Sequence, residues 1–304
     1  MKPLIFPPFL QKDDKILVCA PAGSFSDGEA LARFKLWAEH QGWQVEIHPQ
    51  TYASEGSLAG TDTERIQVLN EAFSRKDIRA VWAVRGGYGS IRIIDNLDFS
   101  LLKQHPKWLI GFSDITHFHL RALQEGIGSI HAIMPVQFKT SIPGSVLQAT
   151  AHTLSGKLPG YLTPRDSMNC NERPVKGILT GGNASTLLAH ISSCKTDFNG
   201  KILFLEDVSE HLYALDRIFR SLKRHGIFER ISALILGHFT GIKQDNPPFP
   251  FSVKQIVLEA VKGYDLPVFF NFPAGHEPEN FPLVFGMPYA IDLKEREWEL
   301  KPVG

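Results

Sequence analysis

Arg85-Gly86-Gly87-Tyr88-Gly89-Ser90 is a glycine-rich run that leaves backbone amides uncovered, and bare amides of this kind hold an anion or a developing oxyanion. It is not a dinucleotide fingerprint, because the third glycine would fall at Arg92, and no GxxxxGK[ST] run occurs. Alone, the run reads equally well as a tight turn that needs glycine for positive φ. A second stretch, Gly111-Phe112-Ser113-Asp114-Ile115-Thr116, follows a hydrophobic strand and enters a predicted helix. Ser113 there is either an N-cap, the commoner role, or a nucleophile held where helix amides stabilise a tetrahedral oxyanion. The hydrolase elbow GxSxG is not matched, since Ile115 stands in place of its second glycine.

A serine nucleophile requires a base and a carboxylate that orients the base. Among 12 histidines, His276 lies in Ala274-Gly275-His276-Glu277-Pro278-Glu279-Asn280, too rich in Gly and Pro to be core, although a surface-loop histidine is the commoner reading. For the carboxylate, a predicted strand at 201–205 runs into Glu206-Asp207. Asp207 and Glu210 have capping-box spacing, which assigns Asp207 to a helix cap and leaves Glu206 without a structural role. His117 and His119 are two apart on a predicted helix and so face different ways; with no HExxH pattern they read as packing or surface residues. No metal and no cofactor is expected.

The elements that must position these groups are those of an α/β protein. Predicted strands at 15–19, 44–48, 80–84 and 108–111 alternate with helix-length segments. One of these, 62–74, has Asp62 in its first turn and Ile66, Leu69 and Phe73 at helical spacing. This gives an N-terminal domain over 1–154 with a largely parallel sheet and flanking helices. A polar stretch over 155–173, with Gly and Pro and no room for a helix or buried strand, reads as a linker. A smaller C-terminal α/β or α+β domain follows over 174–304, with strands at 175–179, 201–205, 233–236, 268–270 and 289–293. Ligands collect at the carboxyl ends of parallel strands, where Ser113, Glu206 and the His276 loop all fall, so the site is expected in the cleft between the domains.

Lys and Arg number 32 against 32 Asp and Glu, and 43% of residues are hydrophobic, which excludes disorder and collagen. Without a basic block beyond pieces such as Lys223-Arg224, no nucleic-acid partner and no membrane association is expected. Pro3, Pro7 and Pro8 interrupt the first residues, which lack the apolar helix of a secretory signal, so the expected location is the cytoplasm. Cys19, Cys170 and Cys194 form no CxxC pair and read as buried free thiols.

Several blocks together resemble one family. Leu58-Ala59-Gly60-Thr61-Asp62 with Arg65, the run from Val81 to Gly89, and Gly111 to Thr116 are similar to blocks of the LD-carboxypeptidases, also called muramoyltetrapeptide carboxypeptidases. Gly181-Gly182-Asn183, Leu205-Glu206-Asp207, Tyr213 with Asp216 and Arg217, and Gly275-His276 with Asn280 continue the resemblance in the family's order over nearly the whole chain. Ser129-Ile130-His131-Ala132-Ile133-Met134-Pro135 departs from the family's His-Gly-Pro-Met block. The resemblance implies a metal-independent serine peptidase whose triad maps onto Ser113, His276 and Glu206. It further implies release of terminal D-alanine from cytoplasmic muropeptide tetrapeptides during cell-wall recycling, and assembly as a homodimer. The oxyanion would accept amides from Asp114 and from Gly86 and Gly87, and Arg85 would meet the substrate's terminal carboxylate. Microcin immunity peptidases, which cleave peptidyl- or aminoacyl-nucleotides, share the resemblance. A non-catalytic muropeptide sensor is a further alternative, against which the joint presence of nucleophile, base and orienting group argues.

Overall fold

A computed structural model describes residues 4–244 and 246–303, which form two compact units. Unit 1 holds residues 4–158 and the returning segment Phe281–Gly286. Its strands β1 (Lys15–Cys19), β2 (Gln44–Ile47), β3 (Ile78–Ala83), β4 (Trp108–Gly111) and β5 (Ser129–His131) run parallel in spatial order 2-1-3-4-5. Consecutive residues of β1, β3 and β4 are nearly all buried, as strands covered on both faces must be. Between the strands come α1 (Gly28–His40), α2 (Asp62–Ser74), α3 (Ser90–Ile93), α4 (Phe99–Gln104) and α5 (Thr116–Gln124), and α6 (Gly144–Leu154) follows.

The first four strands and α2 lie within two residues of their expected positions. Helix α2 starts where Thr61 accepts the Glu64 N–H and the Glu64 carboxylate accepts the Thr61 N–H. Val68, Leu69, Ala72 and Phe73 are buried on the core side of α2, and Ile66 packs at the edge of that core. Arg65 is also buried: its guanidinium donates to the carbonyls of Pro21 and Gly89 and pairs with Asp62. The loops after β1 and β3 are thereby tied to one helix.

Unit 2 holds the chain from Pro159 to Asn280 and from Met287 onward. Strands β6 (Tyr161–Pro164), β7 (Val175–Asn183), β8 (Lys201–Val208), β9 (Ala233–Thr240) and β10 (Val268–Phe269) precede β11 (Leu283–Phe285), the segment of unit 1 that pairs antiparallel with β5. Then come β12 (Pro288–Leu293) and β13 (Glu297–Pro302). The order is β10-β9-β8-β7-β12-β13-β6. Strands β7 to β10 are parallel and interleave with α7 (Ala184–Ser193), α8 (Leu212–Arg224) and α9 (Val253–Val261), while β12, β13 and β6 add antiparallel. The second sheet therefore combines a parallel half with an antiparallel one.

The stretch over 155–173, read as free of buried strand, contains β6, with Tyr161 and Thr163 buried and Leu162 and Pro164 exposed. A strand survives there because β6 is the sheet's edge and bonds only to β13, so its terminal Pro164 costs no inner ladder bond. The strands β5 and β11 are three residues each, too short to show a period. Among the described residues, no helix is long and apolar enough to cross a membrane.

Candidate active site

In unit 1, every residue from Lys107 to Leu120 is buried except Ser113, which is partly exposed. Its φ of +66° lies in the left-handed region, which costs a serine roughly 1–3 kcal/mol and persists where surrounding structure imposes it. The N-cap role is not the one Ser113 takes. The turn at Ser113–Ile115 is capped by Phe112 with no side-chain bond, and a serine at positive φ lacks the extended backbone an N-cap needs. The result is a sharp strand-to-helix turn that presents a hydroxyl, the geometry of a nucleophile elbow reached without its second glycine.

Gly86 packs directly beneath this serine. A Cβ there would stand 3.0 Å from Ser113 Cβ and 3.2 Å from its Oγ, so a glycine is required for the two loops to meet. Gly23 N–H donates to the Gly86 carbonyl at 3.0 Å, and Gly87 has φ of +101°. The Arg85 guanidinium donates to the Ser24 carbonyl at 2.9 Å, bracing the same pair of loops. Asp114 does not stay on the first turn of its own helix: its buried carboxylate reaches across to accept the Ser90 N–H at 2.9 Å, while Ser90 Oγ donates to the Asp114 carbonyl at 2.6 Å. Burial pushes the Asp114 carboxyl up, against the pull of the Ser90 hydrogen bonds and the Arg65 charge.

In unit 2, Glu206 Oε2 lies 2.6 Å from His276 Nδ1, and Glu206 is wholly buried. The carboxylate is an acceptor, so Nδ1 carries the proton and Nε2 is left as the basic nitrogen. Burial disfavours the imidazolium, yet the charge and hydrogen bond of Glu206, with the charge of Asp207, outweigh it and hold His276 above the ordinary imidazole value. The second oxygen, Glu206 Oε1, is buried with no hydrogen-bond partner among the described residues. Opposite Glu206 the β8–β9 ladder slips: Leu205 pairs with Leu236 but Asp207 with Phe239, so Gly237 and His238 stand against Glu206. Such an irregularity re-aims side chains at a strand end.

Asp207 is not the cap of the following helix. It still belongs to β8, and α8 begins at Leu212 after His211, so the capping-box spacing to Glu210 falls on the wrong element. Its carboxylate instead accepts Asn183 Nδ2 and the Val208 N–H at 2.8 Å and the Ser185 N–H at 2.9 Å, capping α7 from the neighbouring strand. Burial and the adjacent Glu206 charge push it up to about 6.

The His276 loop is held by the Gly275 N–H donating to buried Asn280 Oδ1 at 3.0 Å. Gly275 has φ of +132°, and a Cβ there would meet Glu206 Oε2 at 3.1 Å. Gly275→Ala is therefore expected to lower stability by about 1–2 kcal/mol and to displace the carboxylate from His276, which denaturant melts and steady-state kinetics would register together.

Sequence reasoning passed over His238, whose Cβ flanks Gly275 and whose charged form is disfavoured by burial against the pull of Glu277, Glu279 and Glu206. Nothing local marks it, because a histidine late in a strand reads as packing. His117 and His119 are indeed buried. His119 bonds Ser129 Oγ and the Gly111 carbonyl at 2.9 Å, and burial pushes it down to about 4. Among the described residues, no group of three or more His, Cys, Asp or Glu side chains is placed to hold a metal ion. Cys19 is buried and its thiol is pushed up to about 12, but Cys170 and Cys194 are only half-buried: Cys170 forms an isolated β-bridge with Val268, and Cys194 ends α7.

Unit 1 thus presents a strained serine packed on Gly86 of the glycine loop, and unit 2 a histidine oriented by a buried carboxylate. Residues 16–132 match the family described as LD-carboxypeptidase N-terminal domain, and residues 176–291 match LD-carboxypeptidase C-terminal domain. The chain is 28% identical to a probable murein peptide carboxypeptidase of Bacillus subtilis, covering 95% of this chain and 92% of that one. It is 27% identical to the microcin C7 self-immunity protein MccF of Escherichia coli, over 85% and 84% of the two chains. A crystal structure of muramoyltetrapeptide carboxypeptidase from Oxalobacter formigenes superposes with a TM-score of 0.85 at 27% identity, covering 95% of this chain and 99% of that one.

Proposed function

Because the chain belongs to the LD-carboxypeptidase family, we propose that it is a serine carboxypeptidase that releases terminal D-alanine from muropeptide tetrapeptides by cutting an L,D-peptide bond. The observation that carries this reading is the joint presence of a partly exposed serine at φ +66° and a histidine whose Nδ1 lies 2.6 Å from a buried glutamate. In this reading Ser113 Oγ attacks the carbonyl of the L,D bond and His276 Nε2 takes its proton. Glu206 fixes the ring and balances the imidazolium. The oxyanion accepts the amide of Asp114 and those of Gly86 and Gly87. His276 then passes its proton to the leaving D-alanine amine, and water releases the acyl-enzyme by the same steps in reverse.

Arg85 is assigned to the substrate's terminal carboxylate, because a guanidinium matches that group and a carboxypeptidase must recognise a free end. Arg85→Met is expected to lower kcat/KM about tenfold or more, mainly through KM. Unchanged kinetics with a lowered melting temperature would reduce Arg85 to its contact with Ser24. Work on cytoplasmic muropeptides in cell-wall recycling, and assembly as a homodimer, complete the proposal; three free cysteines are consistent with a reducing compartment. The similarity to the microcin self-immunity protein favours a second substrate class, peptidyl- or aminoacyl-nucleotides.

The test is release of free D-alanine by purified protein, with chelator present, from a muropeptide tetrapeptide and from a pentapeptide ending in D-Ala-D-Ala, beside Ser113→Ala. Release from the tetrapeptide alone, absent in the variant, is expected. Release from neither would turn the reading toward nucleotide-linked peptides.

A further inference from the structure

One device occurs twice, and neither occurrence is explained by the chemistry above. Each of Ser113 and Glu206 is followed by an aspartate, and each aspartate is buried. Each reaches sideways to the helix that follows the neighbouring parallel strand. Asp114, beyond the end of β4, accepts the N–H of Ser90, the first residue of the helix that follows β3. Asp207, in β8, accepts the N–H of Ser185, in the first turn of the helix that follows β7. A first-turn N–H has no partner within its own helix, so the carboxylate supplies the missing acceptor and ties two strand ends together.

We propose that Asp114 and Asp207 are positioning residues, one in each unit, that lock the backbone bearing Ser113 and Glu206 against the adjacent strand-to-helix junction. The inference rests on the reading of Ser113, Glu206 and His276 given above. Without the carboxylate, the turn that bears Ser113 keeps only the bond from Ser90 Oγ to the Asp114 carbonyl as its hydrogen-bonded link to the first residue of the glycine loop's helix. Glu206, placed where the β8–β9 register slips, loses the clamp that its neighbour makes to Asn183, Val208 and Ser185. Misplacing a reacting group by about 1 Å costs on the order of 100-fold in rate, so the lock acts on kcat rather than on substrate affinity.

The two sites differ in a way that makes the proposal sharp. The Asp114 carboxylate takes one backbone N–H, which an asparagine oxygen can equally accept. Asp207 takes three donors on its two oxygens, and an asparagine there must turn an NH2 toward another N–H. The experiment is steady-state hydrolysis of the tetrapeptide by wild type, S113A, D114A, D114N, D207A and D207N, with thermal melts and a pH profile of kcat/KM. D114A and D207N are expected to lose roughly 10–100-fold in kcat with KM changed less than about threefold. D114N is expected to recover most of what D114A loses, whereas D207N recovers nothing over D207A. Should D207A fail to fold, the isosteric D207N is read against wild type, and wild-type kcat in it overturns the proposal at that site.

The pH profile separates positioning beside the base from a merely structural role. His276 is faced by Glu206 and Asp207 from β8, with His238 of β9 against the adjoining Gly275 and Glu277 next in its own loop. Deleting the Asp207 charge removes one stabiliser of the imidazolium, so the acid limb of kcat/KM in D207N moves to lower pH. Wild-type kcat in folded D114A and D207N, equal damage in D114N and D114A, or an unmoved acid limb would each overturn the proposal. Hydrolysis by wild type that is absent in S113A secures the underlying reading separately; a wild type without hydrolysis removes that reading and this inference with it.

Discussion

Ser113→Ala is expected to abolish the proposed D-alanine release, by about 10^4-fold or more in kcat, while leaving the denaturant midpoint essentially unchanged. Both halves of this expectation come from the same turn. The hydroxyl is proposed as the nucleophile, so its loss removes the covalent step. It does not cap the helix, since Phe112 occupies that position and Ser113 sits at φ +66°, so its loss removes no structural hydrogen bond of that kind. A capping serine would lose about 1 kcal/mol on the same change. Ser113→Gly should be equally inactive yet more stable than wild type by up to about 1 kcal/mol, because glycine adopts positive φ without the strain a serine bears. Residual hydrolysis close to wild type in either variant would sink the nucleophile assignment, and a marked loss of stability in the alanine variant would restore the cap.

Glu206→Gln is expected to lower kcat by roughly 10^3–10^4-fold with little change in KM. The amide is isosteric, but it neither balances an imidazolium nor holds the ring tautomer as a carboxylate does. Its pH signature has a definite sign. His276 is raised in the folded protein by the charge and hydrogen bond of Glu206, against burial. A group raised on folding binds its proton more tightly in the native state. Its stabilising contribution is complete below the unfolded value of about 6.5 and is lost as pH rises through the folded value. Asp207, raised to about 6 by burial and the Glu206 charge, behaves with the same sign over a lower window, from the unfolded carboxylate value of about 3.9 up to about 6. These two contributions therefore fall as pH rises, against a rise between about 4 and 6.5 from buried His119, which is pushed down to about 4; in the difference between the two proteins, Glu206→Gln should remove the fall while moving the acid limb of kcat/KM downward. An identical stability profile in the two proteins would show that Glu206 does not govern His276.

The strand ends were legible because a buried parallel strand announces itself by an uninterrupted apolar run, and whatever polar residue terminates it stands at the sheet's carboxyl edge. That rule locates Ser113 after Trp108–Gly111 and Glu206 after the apolar start of Lys201–Val208. It also located the glycine loop after Ile78–Ala83. The same local grammar failed at the two aspartates. Asp207 reads as half of a capping box and nothing beside Asp114 marks a distant partner, because such readings count residues along one segment. The acceptors actually serve N–H groups 24 and 22 residues earlier in the chain, brought alongside only when β3 meets β4 and β7 meets β8.

His276 shows where that division falls. Composition and turn chemistry place it in a loop, yet its partner Glu206 is 70 residues away, and nothing along the chain encodes a 2.6 Å contact between them. Local sequence determined which elements form and which polar residues end them, since apolar periodicity and turn residues act over a few positions. Tertiary structure alone decided the left-handed serine, the half-buried edge strand at Tyr161–Pro164, His238 against Gly275, and the partners of both aspartates. Each of these depends on which strands become neighbours and in what register, and a carboxylate whose donors lie on another element has its role set by that packing.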